Sequence, residues 1–204
     1  MILQLGRHEF IEVVIFQPEP ELFLHSDNLA CRLLADRRPT SKIQRRLSAA
    51  SGNFMKLTFR PYTTADSDRC LALFDANVPE FFAASERMEY ASFLAMPSCA
   101  YLVGMTSDGT VRACGGYFVE PGAPEAAGLA WGIVDRDCQG KGLGQQLLIV
   151  RMLALRSTPG IREVVIRTSQ HTEGFYSRAG FLSTRSVPDG HAPGIDLVEM
   201  RCSL

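Results

Sequence analysis

The sequence predicts a mixed α/β layer structure. From Lys56 onward, stretches with strand-like and helix-like patterning follow one another in the order β-α-α-β-β-β-α-β-α-β-β. This mixture is typical of helices packed on a sheet. The composition is that of an ordinary globular protein, with 46% hydrophobic and 21% charged residues. A chain of 204 residues with this balance can bury a sizeable core.

The first part of the pattern predicts one strand and two helices. Residues 56–62 (KLTFRPY) alternate between apolar and polar side chains, as a strand does. Thr63 and Asp66 have the spacing of a capped helix start, and apolar residues follow on one face. Ser85 is expected to cap a second helix that runs through Ala95 and ends before the next proline.

Six more strands and two more helices are predicted from there to the C-terminus. Residues 100–106 and 110–120 form two strands around Ser-Asp-Gly, a strong hairpin signal, and residues 127–134 form a third. A helix over 142–157 has a broad leucine-rich face. The remaining elements are a strand at 163–169, a short helix at 172–179, and strands at 181–187 and 195–202 around a Pro-Asp-Gly turn at 188–190.

Charge and composition exclude several classes of protein. The formal net charge is −1, so no basic field favours a nucleic-acid partner. No apolar run reaches the roughly 18 residues of a membrane span, and no signal-peptide pattern is present. The six cysteines are scattered without metal-ligand spacing, which favours reduced thiols and no metal. We therefore expect a cytoplasmic protein with no membrane, metal or nucleic-acid partner.

Residues 1–54 differ in character from the rest of the chain. They contain a Pro-Glu-Pro break and an arginine-rich piece, and no hydrophobic period is sustained in them. We interpret them as a poorly structured N-terminal extension, or as upstream sequence read in frame ahead of a start at Met55. The domain proper is expected over residues 55–204.

The sharpest local feature is a glycine-rich loop, Gln139 to Gly144 (QGKGLG), between a strand and a helix. Such loops turn backbone N–H groups toward a phosphate, and the helix N-terminus adds positive potential. A P-loop would need Ser or Thr after Gly-Lys, where Gly142 stands. The dinucleotide fingerprint would need a third glycine at Gln145. The loop predicts phosphate or pyrophosphate binding and leaves the ligand open.

Two motifs together resemble a known family. Gln139, Gly142 and Gly144 match the Q/R-x-x-G-x-G/A signature of the GNAT N-acetyltransferases, and residues 175–181 (FYSRAGF) resemble the family's FY-x-x-x-GF motif. The resemblance covers about residues 55–204. It implies a central, mostly antiparallel twisted sheet of about seven strands flanked by about four helices.

The same resemblance implies an acyl-CoA donor and a set of cofactor-binding residues. The pantetheine arm is expected to pair with the strand that ends at Val134, with a backbone N–H near Ile133 or Val134 facing the oxyanion. Ser169 stands where many family members have Asn. The pyrophosphate is expected on the backbone amides of Gln139, Gly140, Lys141, Gly142, Leu143, Gly144 and Gln145.

The resemblance also implies chemistry at Tyr176, the tyrosine of the FY motif. In the family this residue protonates the leaving thiolate, and a phenol is protonated at neutral pH. A structural role, with the hydroxyl bonded elsewhere, is the alternative. The strand before the glycine loop carries no carboxylate, so Glu120 is the first candidate base and His171 the second, with a water chain as a third route.

The function expected from these residues is acetyl-CoA-dependent N-acetylation of a small-molecule or protein amine by a monomer or homodimer. Trp131 is expected to form a wall of the core or of the acceptor cleft. Lys141 is expected either to lean toward a phosphate or to be solvated. Arg167 is expected to pair at the surface, with an acidic acceptor or the phosphates as the alternative. One alternative is a non-catalytic acyl-CoA-binding module, because the base is uncertain. Another is a nucleotide-binding regulatory protein, because the glycine loop alone does not choose its ligand.

Overall fold

The computed structural model describes residues 55–204. The interpretation of residues 1–54 as an extension falls outside the described residues. The sheet has seven strands: β1 (Thr58–Pro61), β2 (Ala100–Met105), β3 (Val111–Val119), β4 (Ala126–Val134), β5 (Glu163–Thr168), β6 (Leu182–Ala192) and β7 (Ile195–Ser203). The α-helices are α1 (Ser67–Asp75), α2 (Arg87–Ala95), α3 (Leu143–Arg156) and α4 (Gln170–Arg178). Within residues 55–204 the predicted seven strands and four helices are thus confirmed.

The strands are ordered β1-β2-β3-β4-β5-β7-β6, and every neighbouring pair except β4–β5 is antiparallel. The parallel pair follows from the crossover through α3. This crossover returns the chain to the end of the sheet at which β4 begins, so β5 runs in the same direction as β4. No helix in this part of the chain is long and apolar enough to cross a membrane.

The helices cover both faces of the sheet. Cys114 of β3 packs in a core cluster with α1 and α2, while its neighbour Ala113 packs with the leucines of α3. Because consecutive strand residues point to opposite faces, α1 and α2 lie on one face and α3 on the other. A further core cluster joins α3 and α4 to β5 and β7.

Two predicted local signals are confirmed. The Asp66 carboxylate accepts hydrogen bonds from the backbone amide and hydroxyl of Thr63, at 2.9 and 3.1 Å, just before α1. In the β2–β3 hairpin, Gly109 has φ +82°, and Asp108 accepts from the Thr110 amide at 3.0 Å. Both are short-range interactions that neighbouring residues complete by themselves.

Two other local predictions are wrong. Ser85 does not cap α2: a 3-10 turn over Ala84–Glu86 comes first, and Glu86 accepts from the Ala83 amide at 2.7 Å. The Pro-Asp-Gly segment at 188–190 lies within β6, and the chain turns later, around Gly194 with φ +79°. The Asp189 carboxylate accepts from the Gly194 amide at 2.6 Å, so the aspartate braces a turn beyond the predicted one.

Candidate functional site

A β-bulge in β4 shapes the site. Cys114 pairs with Ile133 and Gly116 pairs with Ala130, so Trp131 and Gly132 both stand opposite Gly115. Trp131 has φ +42°, a backbone conformation that residues with a side chain adopt rarely. The extra residue bends the strand and increases its twist.

The bend opens the sheet between β4 and β5. These strands pair only at Ala126–Gly128 against Glu163–Val165. Beyond Gly128, the edge of β4 that faces β5 has no strand partner among residues 55–204. The gap forms a cleft of about 1730 Å³ between β4, the end of β5, the start of α3, and α4. An unpaired strand edge presents N–H and C=O groups that an extended ligand can bind.

The glycine loop forms one end of this cleft. Gly140 and Gly142 have φ of +73° and +81°, and α3 begins directly after them. No protein acceptor among the described residues takes the amides of Gly140, Gly142, Leu143, Gly144 and Gln145. Free amides at a left-handed turn and a helix N-terminus make an anion-binding concavity.

Most of the predicted cofactor residues meet at this cleft. Gln139 and Lys141 are partly engaged elsewhere, since Gln139 Nε2 donates to Asn77 Oδ1 at 2.8 Å and Lys141 Nζ donates to the Asp137 carbonyl at 2.8 Å. Lys141 does not line the cleft. The predicted residues that do line it are Ile133, Val134, Gln139, Gly140, Gly142, Leu143, Gly144, Gln145, Ser169 and Tyr176.

Tyr176 lies on α4 and packs edge-on against Phe175 and Phe181, with ring centroids 4.9 and 5.5 Å away. Its hydroxyl has no hydrogen-bond partner among the described residues. Ser169 is the N-cap of α4 and is 6% exposed, and its carbonyl accepts from the Thr172 and Glu173 amides. The two packed aromatic rings hold Tyr176 while leaving its hydroxyl available.

The two candidate bases lie at different depths. Glu120 follows the end of β3, accepts a 2.9 Å hydrogen bond from Arg167 Nη1, and is outside the cleft lining. Its partner Arg167 is half exposed and does line the cleft. His171 lines the cleft and packs edge-on against Phe81, with ring centroids 6.2 Å apart. Among the described residues, neither candidate base is hydrogen-bonded to Tyr176, and of the two only His171 lines the cleft.

Trp131 forms an aromatic wall on the α1–α2 face of the cleft. Its ring lies 5.0 to 6.4 Å from the rings of Phe74, Phe82, Tyr90 and Phe93. Tyr90 and Tyr101 share a 2.8 Å hydrogen bond below it, and burial raises the pKa of both phenols. These tyrosines are therefore neutral supports of the wall.

Charged groups fix the end of β4. The Asp135 carboxylate is 8% exposed and accepts from Arg69 and Arg112, at 2.5 and 2.7 Å. Burial by itself would raise the pKa of Asp135, but bonds from Arg112, the Asp137 amide and Arg69 outweigh it and hold the pKa below its usual value. The carboxylate thus ties α1 and β3 to the segment that leads into the glycine loop.

Comparison with known proteins places this arrangement in a family. The family model for the acetyltransferase (GNAT) domain matches residues 83–204, more than half of the chain. This chain belongs to the GNAT acetyltransferase family. None of the curated proteins matches its sequence.

Solved GNAT structures share the fold at low sequence identity. A protein from Desulfovibrio desulfuricans assigned to the GNAT family is 22% identical, with a TM-score of 0.62 over 72% of this chain and 98% of its own. A GCN5-related N-acetyltransferase from Kribbella flavida is 21% identical, with a TM-score of 0.60 over 72% and 98%. The acetyltransferase homologue YncA from Salmonella typhimurium, solved with acetyl-CoA, is 18% identical, with a TM-score of 0.55 over 73% and 94%.

Two buried polar residues of this GNAT domain were not predicted from the sequence. Asn77 is 2% exposed and donates to the carbonyls of Leu73 and Val134 at 2.8 and 3.0 Å. Arg151 is also 2% exposed and lines the cleft from α3. Arg151 could have been noticed in the sequence, because it interrupts the leucine stripe of α3 between Leu147 and Leu155. Asn77 lies in a loop, and no sequence pattern marks it.

In the part of the chain that the structure describes, no cluster of His, Cys, Asp and Glu could hold a metal.

Proposed function

We propose that this protein is an acetyl-CoA-dependent N-acetyltransferase that transfers an acetyl group directly to an amine of a small molecule or protein. One observation carries the proposal. The free amides of the glycine loop, the unpaired edge of β4 and the available Tyr176 hydroxyl all face the same cleft. Membership of the GNAT family supports the same reading.

The donor would be held by the backbone at two places. The free amides of Gly140 and of Gly142 to Gln145 would take the pyrophosphate, whereas the Lys141 amide already donates to the Cys138 carbonyl at 3.4 Å. The edge of β4 would pair with the pantetheine arm as an added strand. Asn77 supports this geometry, because it bonds both the Val134 carbonyl and the Gln139 side chain. It thereby links the end of β4 to the glycine loop.

Each group in the reaction then has a defined task. The neutral amine attacks the thioester carbon, the new N–C bond forms, and a backbone N–H near Ile133 or Val134 stabilises the oxyanion. The C–S bond breaks, and Tyr176 gives its proton to the leaving thiolate. The proton lost by the amine passes to water.

Glu120 is the proposed carboxylate at the end of that water path. Its ion pair with Arg167, and its place outside the cleft lining, argue for a role through water rather than by direct contact. Because a proton must reach Glu120 through water, we expect Glu120 to contribute less than Tyr176 does.

The test is an acetyl-CoA consumption screen over a broad panel of amines with the full chain. Once an acceptor is found, Tyr176→Phe should lower kcat by about 10²-fold or more and leave the affinity for acetyl-CoA unchanged. Tyr117→Phe, a half-buried tyrosine of β3, is the matched control and should retain wild-type kcat. Acetyl-CoA binding without turnover on any amine would favour a non-catalytic acyl-CoA-binding module. Preference for a dinucleotide over CoA would overturn both.

A further inference from the structure

Arg151 is a buried cation in an apolar stripe. It occurs on α3 four residues after Leu147 and four before Leu155, so all three residues share one helix face. Both leucines are 1% exposed and Arg151 is 2% exposed. A guanidinium keeps its charge at any physiological pH, so a full positive charge lies between helix and sheet.

This charge is only partly satisfied by the protein. Arg151 Nε donates to the Leu147 carbonyl at 3.2 Å, and Nη1 donates to the Gly116 carbonyl at 3.5 Å. Nη2 has no protein acceptor among residues 55–204, and no carboxylate in that range pairs with Arg151. An unpaired buried charge costs several kcal/mol in typical proteins. The fork of Nη1 and Nη2 is therefore suited to an anion from outside the chain.

Two glycines make the space in which the guanidinium lies. A Cβ atom on Gly132 would be 3.2 Å from both Nη1 and Nη2, and one on Gly115 would be 3.1 Å from Nη1. Gly132 is the second residue of the β4 bulge, and Arg151 itself lines the cleft. The cation thus lies directly below the bulge, on the α3 face of the sheet.

The position separates this cation from the acceptor. Trp131 directs its ring to the α1–α2 face, where it packs with Tyr90 and Phe93, while Gly132 faces Arg151 on the other side. In the proposed reaction the thioester oxygen would be directed toward β4, the sulfur toward Tyr176, and the amine would arrive past Trp131. The acyl chain would then extend toward the floor of the cleft beneath the bulge, where Arg151 lies.

We propose that Arg151 binds a carboxylate at the far end of the acyl chain, so that acyl-CoA donors of the malonyl or succinyl class fit this cleft better than acetyl-CoA. This inference rests on the proposed N-acyltransferase function and widens its donor. The transfer step is the same for either donor: the amine gains the acyl carbon, the thiolate leaves with the Tyr176 proton, and the chain's carboxylate takes no part. An acetyl group carries no carboxylate, so it would leave Nη2 without this partner.

The experiment measures binding, so it needs no known acceptor. Isothermal titration calorimetry of the full chain compares succinyl-CoA, butyryl-CoA and acetyl-CoA. Butyryl-CoA has the same four-carbon acyl chain as succinyl-CoA without the carboxylate. Succinyl-CoA should bind about 10- to 100-fold more tightly than butyryl-CoA, the ratio expected of a charge-assisted bidentate pair.

Substitution then assigns the effect to Arg151. Arg151→Met should remove the preference for succinyl-CoA while keeping the affinity for butyryl-CoA, and Arg151→Lys should keep part of the preference. Arg162→Met changes an exposed arginine outside the cleft and should change nothing. Thermal unfolding checks that each variant is folded.

The outcomes separate this inference from the proposed function. Equal affinity of the wild type for succinyl-CoA and butyryl-CoA overturns the carboxylate site while leaving the acyltransferase proposal standing. Loss of affinity for all three thioesters in both Arg151 variants assigns Arg151 a structural role and also overturns the site. Failure of every CoA thioester to bind the wild type overturns the proposed function itself.

Discussion

The Tyr101 hydroxyl donates a 3.0 Å hydrogen bond to the carbonyl oxygen of Trp131. Trp131 is the residue of the β4 bulge with φ +42°, so this buried phenol braces the strained backbone from the α1–α2 face. Tyr90 supports Tyr101 through a 2.8 Å hydrogen bond between their hydroxyls. On the opposite face, Arg151 Nη1 donates at 3.5 Å to the carbonyl of Gly116, which pairs with Ala130 and not with the two bulge residues.

Tyr101→Phe is expected to loosen the bulge. The Trp131 carbonyl and the Tyr90 hydroxyl each lose a partner, which costs about 1–2 kcal/mol of unfolding free energy. The open edge of β4 is then less well positioned, so the affinity for acetyl-CoA should fall as well. Urea unfolding and calorimetric titration with acetyl-CoA measure the two effects.

Tyr62→Phe is the control for that variant, since the Tyr62 hydroxyl also donates to a backbone carbonyl, that of Leu94, at 2.9 Å. It should reduce stability without changing acetyl-CoA affinity. Equal affinity losses in the two variants would mean that the bulge has no special dependence on Tyr101.

Gly142→Glu is expected to abolish CoA binding. Gly142 has φ +81° next to the free amides, and a glutamate there adds both strain and an anion where the pyrophosphate would lie. Gly142→Ala separates the two effects, because it adds strain alone and should weaken binding less. Gly109→Glu is the control at φ +82° in the β2–β3 turn, and it should bind CoA normally. If Gly142→Glu binds CoA with wild-type affinity, the assignment of the phosphate site to this loop is wrong.

Asp135→Asn is expected to destabilise the protein by about 2 kcal/mol at pH 7, because Arg69 and Arg112 lose a buried charged acceptor. The pKa of Asp135 is lowered in the folded state, so its contribution is present above its unfolded pKa of about 4. The contribution is lost as the pH falls through the folded pKa. The stability gap between wild type and variant should therefore narrow below pH 4.

Urea unfolding at pH 7 and pH 3.5 measures that gap. Asp75→Asn breaks the exposed ion pair with Arg87 and serves as the control, with little change expected at either pH. If the stability difference between the wild type and Asp135→Asn is the same at both pH values, the charge of the carboxylate is not the cause of the stabilisation.

Glu120→Gln is expected to lower kcat by less than the 10²-fold typical of a direct general base. Glu120 lies outside the cleft lining and is paired with Arg167, so any proton must reach it through water. Glu163→Gln is the matched control, because Glu163 also accepts from an arginine at 2.9 Å but lies on β5 beside Arg201. Identical kcat values for the two variants and the wild type would leave water as the sole base.

The glycine loop and the FY motif could be recognised from sequence because their chemistry is local. Gly140 and Gly142 adopt the left-handed turn that only glycine enters readily, and α3 begins where the pattern predicts. The leucine face of α3 likewise follows from a 3.6-residue period. The wrongly predicted turn at 188–190 shows the limit of such local patterns. Residues 188–190 and the segment at Gly194 both have turn-forming residues, and the pairing of β6 with β7 decides which of them turns the chain.

By itself, the sequence determined the order of strands and helices, the family, and the position of the glycine loop, because each depends on neighbouring residues. The tertiary structure alone decided that β4 bulges at Trp131, that its edge opens against β5, and that Arg151 lies below Gly132 with no carboxylate partner among residues 55–204. It also placed Glu120 outside the cleft lining, paired with Arg167. These relationships join residues distant in the chain, and which strand edge stays unpaired is set by packing across the whole sheet rather than by any local pattern.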